Sequence, residues 1–504
     1  MKKRLIQITL VIIAVIFVFA SCGTGAVEDG TLVVAIPSFP VSLDVSMTNE
    51  FNASLVNRNW IETLVKFDGP DWNIVPGLAE SWHFVDPQTL VLNLRRGVRF
   101  HNGDEMTAND AALSIMRSVH SPPVRFILNS IDSIDVIDDF TLQINMLFPF
   151  VPILSHLTHP SAGVISERAR QELGADFANQ PVGTGPFKFS SMSLGDYVEL
   201  VRNENYWGPA PGVERIRFVV IPEGTNRLIE VETGQAHIAF DISPHHLPRL
   251  QTDPALAYDR AAVPRYHFLG FNFESPVEAL RDVRVRRAIT HAIDVQAIAN
   301  TVYQGLGRLT HGPLVGIPGV IDLPHLEFDL DRARQLMAEA GYADGFSVTL
   351  WNTSDNQQEA DTAVILQNML AQINIDVQIV SVEFATFLHG VTQGQQDMHV
   401  LSWNNITGDL DYGLTLYHSS NIGASNRFRY NNPEVDRLLN LGRQELDHER
   451  RLEIYAEIQR IIHYDAVAVF LLHGEELVAT SPSIRGFVNF PMRSPRLNTV
   501  QFVN

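Results

Sequence analysis

The apolar positions of this chain follow two periods and switch between them along its length. The run Thr31–Ile36 (TLVVAI) is unbroken, of strand length and closed by Pro37, which predicts a buried strand. Over 54–65 the spacing turns helical, with Leu55, Trp60, Ile61 and Leu64 on related faces. Strands are further predicted over 89–94, 140–146, 215–221, 268–273, 346–351, 375–382, 399–403 and 466–472. Helices are predicted over 107–119, 166–173, 225–233, 282–303, 331–340 and 359–373, with a long helical region over 432–463 broken near 442–447. Between about 280 and 475 strands and helices alternate, the pattern of an α/β domain, whereas the first half is richer in strands. No repeat and no Pro/Gly/Ser-rich linker divides the chain, so short strands are expected to join its halves, as in hinged lobes.

The first residues read differently. Met1-Lys2-Lys3-Arg4 is basic, residues 5–20 are almost wholly apolar, and Ser21-Cys22 precede Gly23-Thr24-Gly25-Ala26. A basic start, an apolar centre and small residues at the cut make a bacterial secretory signal peptide. The stretch is short for a bilayer span of about 20 residues. Cys22 after Phe19-Ala20-Ser21 resembles a lipobox, with Phe19 where leucine is usual. The expectation is a signal peptide over 1–21, a lipidated tether over 22–30 beginning at Cys22, and a folded part that is extracytoplasmic. It would be lipid-anchored to the cell membrane, in a periplasm or at the outer face of the cytoplasmic membrane.

Composition narrows the function. At 504 residues, 45% apolar and 19% charged, the chain is a packed multi-domain protein. Its 37 basic and 57 acidic residues leave a formal charge of −20, which excludes nucleic acid as a partner. The one cysteine rules out an internal disulfide framework and any multi-thiolate metal site. GxxxxGK[ST], HExxH and GxSxG are absent. His156-Leu-Thr-His159 and His245-His246 are the nearest histidine pairs, neither with a clear third ligand, so no metal and no cofactor is expected. With no catalytic constellation in sight, the chain reads as a binding protein and not an enzyme.

Seven segments then resemble, in order, one family. They are Ser42-Leu43-Asp44, Val75-Pro-Gly-Leu-Ala-Glu-Ser-Trp82, Leu94-Arg-Arg-Gly-Val-Arg-Phe-His-Asn-Gly103 with Thr107-Ala-Asn-Asp110, Pro181-Val-Gly-Thr-Gly-Pro-Phe187, Asn203-Glu-Asn-Tyr-Trp207, Asp282-Val-Arg-Val-Arg-Arg-Ala-Ile289, and Asp329-Leu-Asp-Arg-Ala333 continuing to Ala340-Gly-Tyr342. Together they are similar to the bacterial extracellular solute-binding proteins of family 5, the oligopeptide, dipeptide and nickel type that serve ABC importers. The resemblance implies an α/β, two-lobed periplasmic-binding-protein fold of class II, cluster C. Lobe I would comprise 31–75, 181–270 and 476–504, with an extra α/β subdomain over 76–180, and lobe II would be 275–475. The implied hinge lies near Gly270, Asn272 and His473. Implied partners are a peptide or other small solute, an ABC permease and its ATPases, with the protein itself a monomer.

The resemblance also places a site. Ser402-Trp403-Asn404-Asn405 and the following Gly408-Asp409-Leu410-Asp411 resemble the segment that lines the ligand cleft of peptide-binding members. Trp403, Asn404 and Asn405 are the expected contacts: an indole gives flat apolar area and one donor, and amides give donors and acceptors. Members that hold a peptide's α-amine carry an aspartate where this chain has Ile406, and dipeptide-specific members carry an arginine where it has Thr353, beside Ser354 and Asp355. Without those ionic anchors, a longer peptide held by its backbone, or an uncharged ligand, is expected. From lobe I, Ser38 and Phe39 follow the first strand and would lie alongside it. Asp409 and Asp411 are expected to fix the next turn. The alternatives are a same-fold receptor for a nickel chelate or an oligosaccharide, since sugars also stack on aromatics, and a secreted hydrolase.

Overall fold

The computed structural model describes residues 30–69, 72–354, 356–490 and 497–503. The expected signal peptide, Cys22 and Asp355 lie outside them. The spine is one mixed sheet of eleven strands. In spatial order it runs Ile375–Val382, Phe346–Thr353, Met398–Asn404, Ala257–Phe271, Ala468–Thr480, Ile238–Ala239, Thr31–Ile36, Arg215–Val220, Tyr197–Arg202 and Phe187–Ser193, with Arg308–Leu309 beside Ala468–Thr480. Thr31–Ile36 has parallel neighbours on both sides and is buried throughout, which is why it reads as an unbroken apolar run.

The fold is two-lobed. One core, built from Leu32, Val34, Ile36, Phe218, Val478, Leu497 and Val500, belongs to lobe I. Lobe II fills both faces of its part of the sheet, with Leu269, Phe271, Ile289, Leu350 and Leu366 on one and Tyr266, Phe268, Tyr417, Phe428 and Tyr455 on the other. A separate four-stranded antiparallel sheet, Ala79–Asp86, Thr89–Leu94, Thr141–Met146 and Ile131–Asp138, packs with the helix Ala108–His120 around Leu90, Leu92, Ile115, Leu142 and Ile144. Thr107 and Asp110 close that helix's first turn as a capping box.

Two long strands, Ala257–Phe271 and Ala468–Thr480, run through both lobes and pair with each other. Their pairing is broken between Ala262 and Tyr266, where Val263, Pro264 and Arg265 face the segment around His473. His473 Nε2 donates to Val263 O at 2.8 Å across the break. Gly270 and Asn272, expected at the crossover, lie instead inside lobe II. Gly270 pairs with His399 and Ala468, and a Cβ there would meet the His399 ring at 2.5 Å. Asn272 Nδ2 donates to the carbonyls of Gly394 and Gln396, tying down a loop of lobe II. Both are packing positions.

Four elements differ from the periodicity reading for identifiable reasons. The helix expected over 54–65 is Phe51–Asn57, started by the Glu50 carboxylate on Asn52 N and Ala53 N. It stops because Asn59 Nδ2 takes the carbonyls of Leu55 and Val56, and residues 60–65 lead into the strand Val65–Phe67. The helix expected over 282–303 restarts at Asp294, whose side chain caps Ala297 N, giving Val283–Ala292 and Val295–Thr301. The strands expected over 268–273 and 466–472 are far longer because each pairs with the other along both lobes. Among the described residues no helix is long and apolar enough to cross a membrane.

Candidate functional site

The strand Met398–Asn404 carries the site. It pairs with Ala257–Phe271 from Met398 to Asn404, but with Phe346–Thr353 only at Met398 and His399. Residues 400–404 therefore have a strand on one side alone. At its end Trp403 Nε1 and Asn404 Oδ1 are buried without a hydrogen-bond partner. Groups so placed stay costly until something pairs with them. The Trp403 ring stacks on Tyr412, 5.7 Å between centroids, and Tyr412 meets the His156 ring of the subdomain at 6.3 Å. Trp403 thus lies where the lobes touch.

The neighbouring predicted residues divide. Asn405 is buried and committed: Nδ2 donates to Asp409 O at 2.8 Å, Oδ1 accepts from Gly408 N, and its own N–H donates to Pro264 O. It builds the turn, and that internal satisfaction is the physical reason to remove it from the contact set. Ile406 packs against the subdomain's core, so the residue that replaces an aspartate is an apolar link between lobes. Thr353 is buried and its hydroxyl donates to Glu359 Oε2 at 2.8 Å; burial raises the pKa of Glu359, with that hydroxyl opposing. Ser354 is exposed and donates through its N–H to Val382 O. On lobe I, Ser38 is exposed and its Oγ accepts from Asn52 Nδ2, while Phe39 packs on the lobe I core. Asp409 and Asp411 hold the turn through Arg451 at 2.7 Å and Arg443 at 2.9 Å.

Contacts between the lobes enclose this strand end. Trp72 of lobe I donates from Nε1 to Gly316 O at 2.9 Å and covers Gly408. Val151 N of the subdomain donates to Arg443 O at 2.8 Å. Behind Trp72, lobe I holds a cavity of about 520 Å³ whose walls include Arg58, Ile61, Glu62, Phe67, Thr158 and Tyr206. Glu62 is spoken for: Oε1 accepts from Tyr206, and Oε2 from Thr184 and Trp207.

Three arginines near this region escaped the sequence reading. Arg58 lines the cavity with Nε buried and unpaired, and burial lowers its pKa to about 10. Arg427 has a buried, unpaired Nε, and burial lowers its pKa, with Tyr412 opposing. Arg265 is the ladder partner of Asn404; burial lowers its pKa, with Asp241, Tyr303 and Glu359 opposing. The signal of Arg58 and Arg427 is an Nε without a partner among the described residues, which only three dimensions reveal. His156 and His159, dismissed as a metal pair, are buried neutral rings: His156 Nδ1 donates to Ile127 O, and burial pushes His159 down to about 3. Among the described residues no three His, Cys, Asp or Glu side chains are placed to hold a metal ion.

Comparison with known proteins puts this geometry in context. Residues 73–425 match the family model described as bacterial extracellular solute-binding proteins, family 5 Middle. Heme-binding protein A of Haemophilus influenzae is 28% identical, covering 92% of this chain and 91% of that protein. The structure of HbpA2 from Haemophilus parasuis has a TM-score of 0.87 at 26% identity and covers 94% of this chain and 100% of its own. DppA from Helicobacter pylori, a periplasmic binding protein associated with an ABC transporter and solved with the peptide STSA, has a TM-score of 0.78 at 26% identity, over 94% and 98% of the two chains.

Proposed function

The chain belongs to the family 5 bacterial extracellular solute-binding proteins of ABC importers, and from that premise we propose that it captures oligopeptides between its lobes and delivers them to a permease. The carrying observation is the open edge of residues 400–404, ending in the unpaired Trp403 Nε1 and Asn404 Oδ1. An extended peptide adds to such an edge by main-chain hydrogen bonds, while the indole offers a flat wall and a donor. The peptide held by Helicobacter pylori DppA supports this reading. Ligand touching both lobes favours the closed arrangement, because only differential contact shifts a hinge equilibrium. The bend we assign to 262–266 and 473–475, where the paired strands lose register.

The same reading makes the protein a binding component without catalytic turnover, working as a monomer with a permease pair and its ATPases. It is held outside the cytoplasm by lipid on Cys22. Native mass spectrometry of the full chain, purified in mild detergent from its expression host, tests the substrate. A ladder of bound masses matching mixed short peptides is expected. A single non-peptide mass, a metal chelate or a glycan would overturn the peptide assignment.

A further inference from the structure

The buried arginines of this protein show what a satisfied guanidinium looks like. Arg227 donates to the carbonyls of Phe240, Ile221, Pro222 and Asp241. Arg286 donates to those of Leu280, Arg281, Asp465 and Ala466. Arg443 and Arg451 each hold an aspartate. Arg58 and Arg427 do neither: each has a buried Nε without a partner, and among the described residues their side chains make no hydrogen bond or ion pair and no carboxylate acts on either. Arg265 differs from them in sitting in the field of Asp241 and Glu359.

The two positions belong to opposite sides of the lobe contact. Arg58 lines the lobe I cavity and acts electrostatically on His159. His159 also lies in the field of His156, whose ring meets Tyr412, and Tyr412 lies in the field of Arg427 and stacks on Trp403. Along this line His156 Nε2, Trp403 Nε1 and both His399 nitrogens are also buried without partners. Buried charge without a partner costs several kcal/mol, and a guanidinium's fixed fork matches a carboxylate in two hydrogen bonds.

We propose that Arg58 and Arg427 are anion anchors of the cleft, one from each lobe, and that the ligand is a small acidic peptide carrying at least two separated carboxylates. This rests on the peptide-receptor reading and adds charge recognition to the main-chain pairing at residues 400–404. An anion bound by both arginines also holds the lobes together.

Calorimetry on the full chain in detergent, with three probes, tests it: Glu-Ala-Glu, Ala-Ala-Ala-amide and citrate. Glu-Ala-Glu is expected to bind about tenfold or more tighter than the amide. Arg58→Gln and Arg427→Gln should each lower its affinity by about tenfold while leaving the amide's unchanged. Each variant should melt no lower than wild type without ligand, since an unpaired buried charge is removed; a structural arginine would melt lower. Equal affinities for the two peptides, or loss-free arginine variants, overturn the inference and leave the receptor reading standing. Arginine-dependent binding of citrate with no peptide bound would keep the anion anchors and overturn the peptide reading. Binding of none of the three overturns both.

Discussion

Gly408 offers a way to separate lobe closure from lobe stability. Its φ is +66°, and a Cβ there would lie 2.2 Å from Trp72 Cε3 and 3.1 Å from Phe67 Cζ, both residues of the opposite lobe. Gly408→Ala therefore has two costs that act in different states. Left-handed backbone costs an alanine about 1–2 kcal/mol whether or not the lobes meet. The clash exists only when they do, and it displaces an indole that is 7% exposed and hydrogen-bonded to Gly316 O. Losing half of the roughly 150–250 Å² a tryptophan buries, at about 25 cal/mol per Å², costs about 2–3 kcal/mol, on the order of a 30- to 150-fold fall in the closed population. Distance distributions between fluorophores at the exposed positions Ile137 and Val364 would report closure, and a melting curve the strain. The expected result is a shift to longer distances with a melting temperature lowered by about 2–8 °C. In a Trp72→Ala background the closure effect of Gly408→Ala should vanish while the strain remains. An unchanged distance distribution, or an equal shift in both backgrounds, would refute the assignment of this contact to closure.

Other consequences follow from the same geometry. Trp403→Phe keeps the stacking on Tyr412 but removes the unpaired Nε1 donor, so peptide affinity measured by calorimetry should fall by roughly tenfold with little change in melting. Arg443→Met strands the buried Asp411, and should cost about 3–5 kcal/mol in chemical denaturation. His159 is held neutral, its pKa at about 3 in the fold against about 6.5 unfolded. A depressed pKa leaves its contribution complete above about pH 6.5 and drains it as pH falls toward 3, by up to about 1.4 kcal/mol per unit. His159→Asn should flatten the fall in urea midpoint between pH 6.5 and 4.5; an unaltered slope would refute the assignment. Cys22→Ser should abolish radiolabelled palmitate incorporation and release the protein from the membrane fraction.

What was legible in the chain was what neighbours in sequence decide. The buried run Thr31–Ile36, the capped helix Ala108–His120 and the break between Pro433–Gly442 and His448–Tyr464 follow from local spacing and capping. The strand Ala79–Asp86 was hidden because only Ala79 is fully buried, so no apolar alternation marks it. The lengths of Ala257–Phe271 and Ala468–Thr480 were hidden too, since each depends on a partner some two hundred residues away. The site shows the same division at finer grain. Trp403, Asn404 and Asn405 stand together in one motif, and only the structure separates the Asn405 amide that holds the turn from the Trp403 Nε1 and Asn404 Oδ1 that have no partner.

The two substituted anchors carry the argument furthest. Ile406 and Thr353 leave the cleft without the two ionic anchors that the resemblance implies. The structure shows what those positions do instead: one joins lobe II to the subdomain core, the other serves a buried glutamate. An aspartate at 406 would set a charge beside the subdomain's apolar core, and an arginine at 353 would displace the hydroxyl from Glu359. A substitution that removes an anchor therefore says nothing about a ligand's charge until every buried cation in the cleft has been asked for its partner. Here Arg58 and Arg427 have none among the described residues. The cost of leaving them so falls on the empty protein alone, and an acidic ligand that spans both lobes is what would remove it.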